Sequence, residues 1–64
     1  MRHSEFWGRL EHHLGPGFAQ AWARDQVLVE LDFRTVVQAL EAGDPVVSVW
    51  RAAWKALELP ASER

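Results

Sequence analysis

The sequence has no cysteine, which rules out disulfide staples and thiolate metal sites together. It has no stretch long and apolar enough to cross a bilayer. The first residues lack the apolar run of a secretory signal, so a cytoplasmic location and no membrane partner are expected. Lys and Arg are few, 7 in all, and form no basic stripe of the kind that tracks phosphates. No nucleophile with an adjacent base, no glycine loop to cradle phosphate and no pair of catalytic carboxylates is evident, so neither an enzyme nor a cofactor is expected. Repeats and low-complexity tracts are absent as well.

What remains is apolar mass. Hydrophobic residues make up 48% of the 64-residue chain, and four of them are Trp. A chain this short buries only about 60% of the surface it exposes when unfolded. Without covalent staples its stability must come from a dense core, and each Trp can bury on the order of 200 Å² of it. The net charge of −2 is unevenly spread. Residues 25–44 hold Asp25, Glu30, Asp32, Glu41 and Asp44 against Arg34 alone, a net of −4, whereas the segments on either side are each +1.

Periodicity and turn residues predict an all-α, compact bundle of three to four short helices in one domain. The helices are expected near 5–14, 16–30, 36–42 and 45–58, with the fourth central. Ser4 is the expected N-cap of the first helix, and Phe6, Trp7, Leu10 and Leu14 form its apolar stripe up to Gly15. Pro16 suits the first position of the second helix, lined by Phe18, Ala21, Trp22, Leu28 and Val29. Gly8, inside the first helix, either admits a close neighbour or is simply tolerated. Thr35 and Gln38 have capping-box spacing before the third helix, and Gly43 ends it. Asp44 is the expected N-cap of the fourth helix, with Pro45 as its first residue and Pro60 stopping it. Residues 61–64 are expected to fray. The alternation of Val27, Val29, Leu31 and Phe33 also admits a strand, but no partner strand is evident.

Two features stand out as candidates for function. The fourth helix carries an apolar arc about 180° wide, broader than the ~100° of an ordinary surface helix. Either the other helices cover it, or its Val47–Trp54 edge, with Arg51 beside it, binds a partner protein or a second copy of the chain. The second feature is Asp25, which falls near the middle of the apolar face if the second helix continues to residue 30. There it would need Arg34 or Arg51 as an ion-pair partner, or a break in the helix at which its carboxylate caps the chain, and its removal would lower stability. His12 and His13 point about 100° apart on a helix, and no i, i+4 His pair exists, so no metal site is expected. The third and fourth helices have a helix-turn-helix outline. The reading positions, however, are Pro45, Val46, Val47 and Ser48, and the preceding acidic segment makes nucleic acid an unlikely partner.

The combination of Glu5-Phe6-Trp7, Trp22-Ala23-Arg24-Asp25-Gln26-Val27-Leu28, Arg34-Thr35-Val36, Ala39-Leu40, Gly43-Asp44-Pro45, Val49-Trp50-Arg51-Ala52 and Leu59-Pro60 resembles the small actinobacterial proteins grouped as domain of unknown function 3046. The resemblance spans essentially the whole chain. It departs at Asp32-Phe33, where a glycine-rich turn is expected, and at Trp54, where a smaller residue is expected. It implies a cytoplasmic helical protein without assigned activity, and it transfers no site residues. Genes of this family commonly neighbour that of a recombinase regulator, which implies a DNA-repair context. Residues and resemblance together lead us to expect a non-enzymatic module that binds another protein, with a nucleic-acid-associated accessory protein as the alternative.

Overall fold

A computed structural model describes residues 1–63. Their order is helix α1 (His3–Leu14), helix α2 (Pro16–Asp25), strand β1 (Val27–Leu28), a 3-10 turn (Val29–Leu31), strand β2 (Arg34–Thr35), helix α3 (Val36–Glu41), helix α4 (Val46–Ala56) and a second 3-10 turn (Ala61–Glu63). The fold is a small helical bundle, as expected, with one addition. Val27 pairs with Thr35 and Leu28 with Arg34 in a short antiparallel ladder.

Local chemistry accounts for most of the boundaries. Gly15, at φ 84°, closes α1 and passes directly to Pro16, the first residue of α2. The capping box is complete. Thr35 N–H donates to Gln38 Oε1 at 2.8 Å, and Gln38 N–H donates to Thr35 Oγ1 at 3.1 Å. Gly43, at φ 90°, ends α3 in a Schellman turn, with Asp44 N–H donating to Ala39 O and Gly43 N–H to Leu40 O. A second turn of the same kind ends α4, where Glu58 N–H donates to Lys55 O and Leu59 N–H to Trp54 O. There the left-handed position is held by Glu58, at φ 54°.

Several expected boundaries shift. Helix α1 takes in two more residues upstream, His3 and Ser4, with Phe6 N–H bonding to Arg2 O at 3.0 Å, so Ser4 lies inside the helix and caps nothing. Asp44 does not cap α4, because its carboxylate is engaged by Arg34, and the helix starts after an extended Pro45. Helix α2 stops at Asp25 rather than continuing to residue 30, since the chain turns there into the ladder. Phe18 and Val29, assigned by periodicity to the inner face of that helix, are both exposed. The inner face of α2 is instead its alanine line, Ala19 and Ala23.

Helix α4 is the central element. It buries Val49, Trp50, Ala52 and Ala53, whereas each of the other helices buries two residues. Trp50 is fully enclosed and meets the edge of Phe6 at 5.9 Å and 90°, an arrangement that adds about 0.5–1.5 kcal/mol beyond area burial. Ala19, Ala23, Ala39 and Ala53 are fully buried as well, so much of the interior is built from small side chains. A Cβ at Gly8 would meet nothing within 4 Å, so that glycine serves no close approach and is simply tolerated. The Cα radius of gyration, 10.5 Å, matches the value of about 10.7 Å for a folded chain of this length.

Candidate interaction site

The ladder and its turn form a hairpin that presents apolar side chains outward. Strand alternation turns Leu28 into the core and leaves Val27 and Val29 outside. At the turn, Asp32 (φ 56°) and Phe33 (φ 61°) both occupy the left-handed region. Asp tolerates this conformation. For a bulky residue such as Phe it is an outlier, costing about 1–2 kcal/mol. The turn is held by what surrounds it. Leu28 and Leu31 are buried, Asp32 N–H donates to Val29 O, Phe33 N–H donates to Leu28 O, and Arg34 Nε donates to Leu31 O at 2.8 Å. As a result Phe33 is 71% exposed and Val29 67% exposed, with the exposed acids Glu30 and Asp32 between them in sequence.

The candidate edge of α4 is only partly open. Val47, Arg51 and Trp54 share a helix face by their i, i+4, i+7 spacing. Val47 is 39% exposed and Arg51 is exposed. Trp54 is half-buried, its indole N–H donating to Pro60 O at 2.9 Å. Residues 61–63, expected to fray, form an ordered turn against the bundle. Trp50 Nε1–H donates to Glu63 O at 3.0 Å, and His13 Nε2 lies 2.6 Å from Glu63 Oε1. Residue 64, the last of the expected frayed stretch, lies outside the described residues.

The expected ion pair of Asp25 with Arg34 or Arg51 does not form. Asp25 is 68% exposed at the side chain and meets only its neighbour Arg24, at 3.3 Å. The phase that put it mid-face relied on Val29 being in the same helix, which it is not. Arg34 instead brackets Asp44, with Nη2 at 2.5 Å from one carboxylate oxygen and Nη1 at 3.4 Å from the other. This hydrogen bond, helped by the charges of Asp44 and Asp32 and opposed by partial burial, raises the Arg34 guanidinium above its ordinary pKa. Arg51 makes no ion pair among the described residues.

Sequence reasoning missed one further feature, an open groove of about 250 Å³ lined by His3, Trp7, Val37, Leu40 and Glu41. It lies between α1 and α3, which are distant in sequence, so no local motif announces it. His12 and His13 stack edge to face at 5.2 Å. Among the described residues no group of three or more His, Asp or Glu side chains could hold a metal ion. Nor is any helix among them long and apolar enough to cross a membrane.

A family model described as "Protein of unknown function (DUF3046)" matches residues 1–62. The chain belongs to the DUF3046 family. Neither the curated proteins nor the solved structures include a match to it. Membership therefore supplies no catalytic or ligand-binding residues, and any site in this DUF3046 chain has to be read from its own surface. On that surface Asp32 and Phe33 are two consecutive left-handed non-glycine residues, at the place where the sequence departs from the glycine-rich turn that the resemblance implies.

Proposed function

We propose that this DUF3046 protein is a non-enzymatic module that binds another protein, with the tip of the hairpin as its leading contact surface. The observation that carries the reading is Phe33, a large aromatic side chain 71% exposed on a left-handed backbone. Strain of this kind persists where the surrounding structure over-determines it, and it clusters at functional sites. Exposed aromatic anchors are the usual hot spots of protein interfaces. Val29 and Val27 extend the apolar surface, and Glu30 and Asp32 give it a negative border. A matching partner presents an apolar pocket edged by Arg or Lys. The same acidic segment opposes phosphate, which favours a protein partner over a nucleic acid. A cytoplasmic site of action is part of this proposal.

The test is capture from native cells with three baits: wild type, Phe33→Gly and Trp54→Ala. A partner retained by wild type and Trp54→Ala but lost by Phe33→Gly supports the hairpin. Loss through Trp54→Ala alone moves the contact to the α4 edge. Capture by all three baits alike sinks both surfaces.

A further inference from the structure

The groove between α1 and α3 combines three kinds of wall. Trp7 supplies an indole, Val37 and Leu40 supply aliphatic surface, and Glu41 supplies a carboxylate. Glu41 is exposed and makes no hydrogen bond or ion pair from its side chain among the described residues. A carboxylate accepts hydrogen bonds only, so it selects a donor, and preferably a cationic one. An indole is the best aromatic partner for a cation. Aliphatic surface suits a methylene stem, which long basic side chains bury while keeping their charge outside. The size sets the scale of the guest. At about 250 Å³ the groove falls below the 300–1,000 Å³ typical of small-molecule pockets, which points to one side chain rather than a free metabolite.

We infer that this groove receives a single arginine side chain of a polypeptide partner, its guanidinium against Trp7 and Glu41 and its stem on Val37 and Leu40. Arginine fits better than lysine because its planar head stacks on an indole and pairs bidentately with a carboxylate. The chain already makes an internal contact of this type, with the Arg9 guanidinium carbon 5.8 Å from the Trp50 ring centroid. The acidic balance of residues 25–44, which include Glu41, favours the approach of a cation. His3 forms the remaining wall. This site is separate from the hairpin and does not depend on its role.

The experiment is an NMR titration of the full chain with a blocked arginine (Nα-acetyl-arginine methylamide). Its uncharged isostere, the corresponding citrulline derivative, is titrated alongside. Saturable shifts are expected at the Trp7 indole N–H and the Val37 and Leu40 methyls. Arginine should bind about three- to tenfold more tightly than citrulline, the range that one exposed charge pair plus one cation–indole contact supplies. Glu41→Gln should remove that preference, while Phe33→Gly should keep it. Equal affinity for the two compounds, shifts that never saturate at those three residues, or a preference that survives Glu41→Gln would each overturn the assignment.

Discussion

Arg34 and Asp44 join the base of the hairpin to the turn before α4, both guanidinium termini facing both carboxylate oxygens while Arg34 Nε holds Leu31 O. One side chain thus ties three segments together and fixes the direction in which the hairpin leaves the bundle. Arg34→Met should lower the melting temperature by a few degrees, and added salt should shrink the difference because the pair is half-exposed. The pH dependence follows from the raised pKa of Arg34. Its contribution is complete below the unfolded-state value and is lost only as pH rises through the still higher folded value. The stability difference between wild type and Arg34→Met should therefore stay flat from about pH 6 to about pH 10. Asp25→Ala serves as the comparison. With its side chain 68% exposed, it should change stability by less than about 0.5 kcal/mol.

Phe33 should separate stability from binding. Phe33→Gly relieves a left-handed aromatic residue at a cost of about 1–2 kcal/mol, partly offset by the greater entropy of glycine in the unfolded chain. Little packing is lost, because the ring is mostly in solvent. Thermal unfolding should show an unchanged or slightly raised midpoint. Phe33→Val, which puts a β-branched residue at φ 61°, should lower it instead. A marked loss of stability in Phe33→Gly would mean that the ring does packing work.

Glu58 occupies the position in the α4 terminal turn that Gly43 occupies in the α3 turn. Glu58→Gly should raise stability by about 0.5–1 kcal/mol, since only the left-handed backbone is relieved. Chemical denaturation should show a higher midpoint at constant slope. Gly43→Ala, the reverse change at the equivalent position, should lower the midpoint.

The last turn satisfies an indole that has no route to water. Trp50 is fully buried, and Glu63 O is the acceptor for its N–H. Removing residues 60–64 leaves that donor without its partner, and a buried unsatisfied donor costs about 1–3 kcal/mol. In a Trp50→Phe background there is no N–H to satisfy, so the same truncation should cost about 1 kcal/mol less. Equal costs in both backgrounds would show that the indole hydrogen bond contributes nothing.

The parts of the fold that rest on contiguous chemistry are legible in the sequence. Thr35 and Gln38 cap α3, Gly15 and Pro16 divide α1 from α2, and Gly43 ends α3. The parts that rest on competition between partners are not. Asp44 could cap a helix or accept from an arginine, and the choice depends on where the hairpin brings Arg34. The strand at Val27–Leu28 was recognisable by alternation. Its partner is only Arg34–Thr35, too short to show a period and directly followed by a helix cap. Asp25 was misplaced because a helical phase was carried past the residue where the helix stops. On the α4 edge, Val47 and Arg51 are exposed. The partial cover over Trp54 could not be foreseen, because its acceptor is a backbone carbonyl that no residue type reveals.

Because residues 60–63 are anchored to Trp50, Trp54 and His13, the two ends of the chain are not equivalent places to attach anything. A purification handle or fluorescent fusion on the carboxyl side would tug on the acceptor of the central indole. Met1 precedes the first helix and is exposed, so a fusion there does not act through those contacts. Baits for this protein should accordingly carry their handle at the amino end.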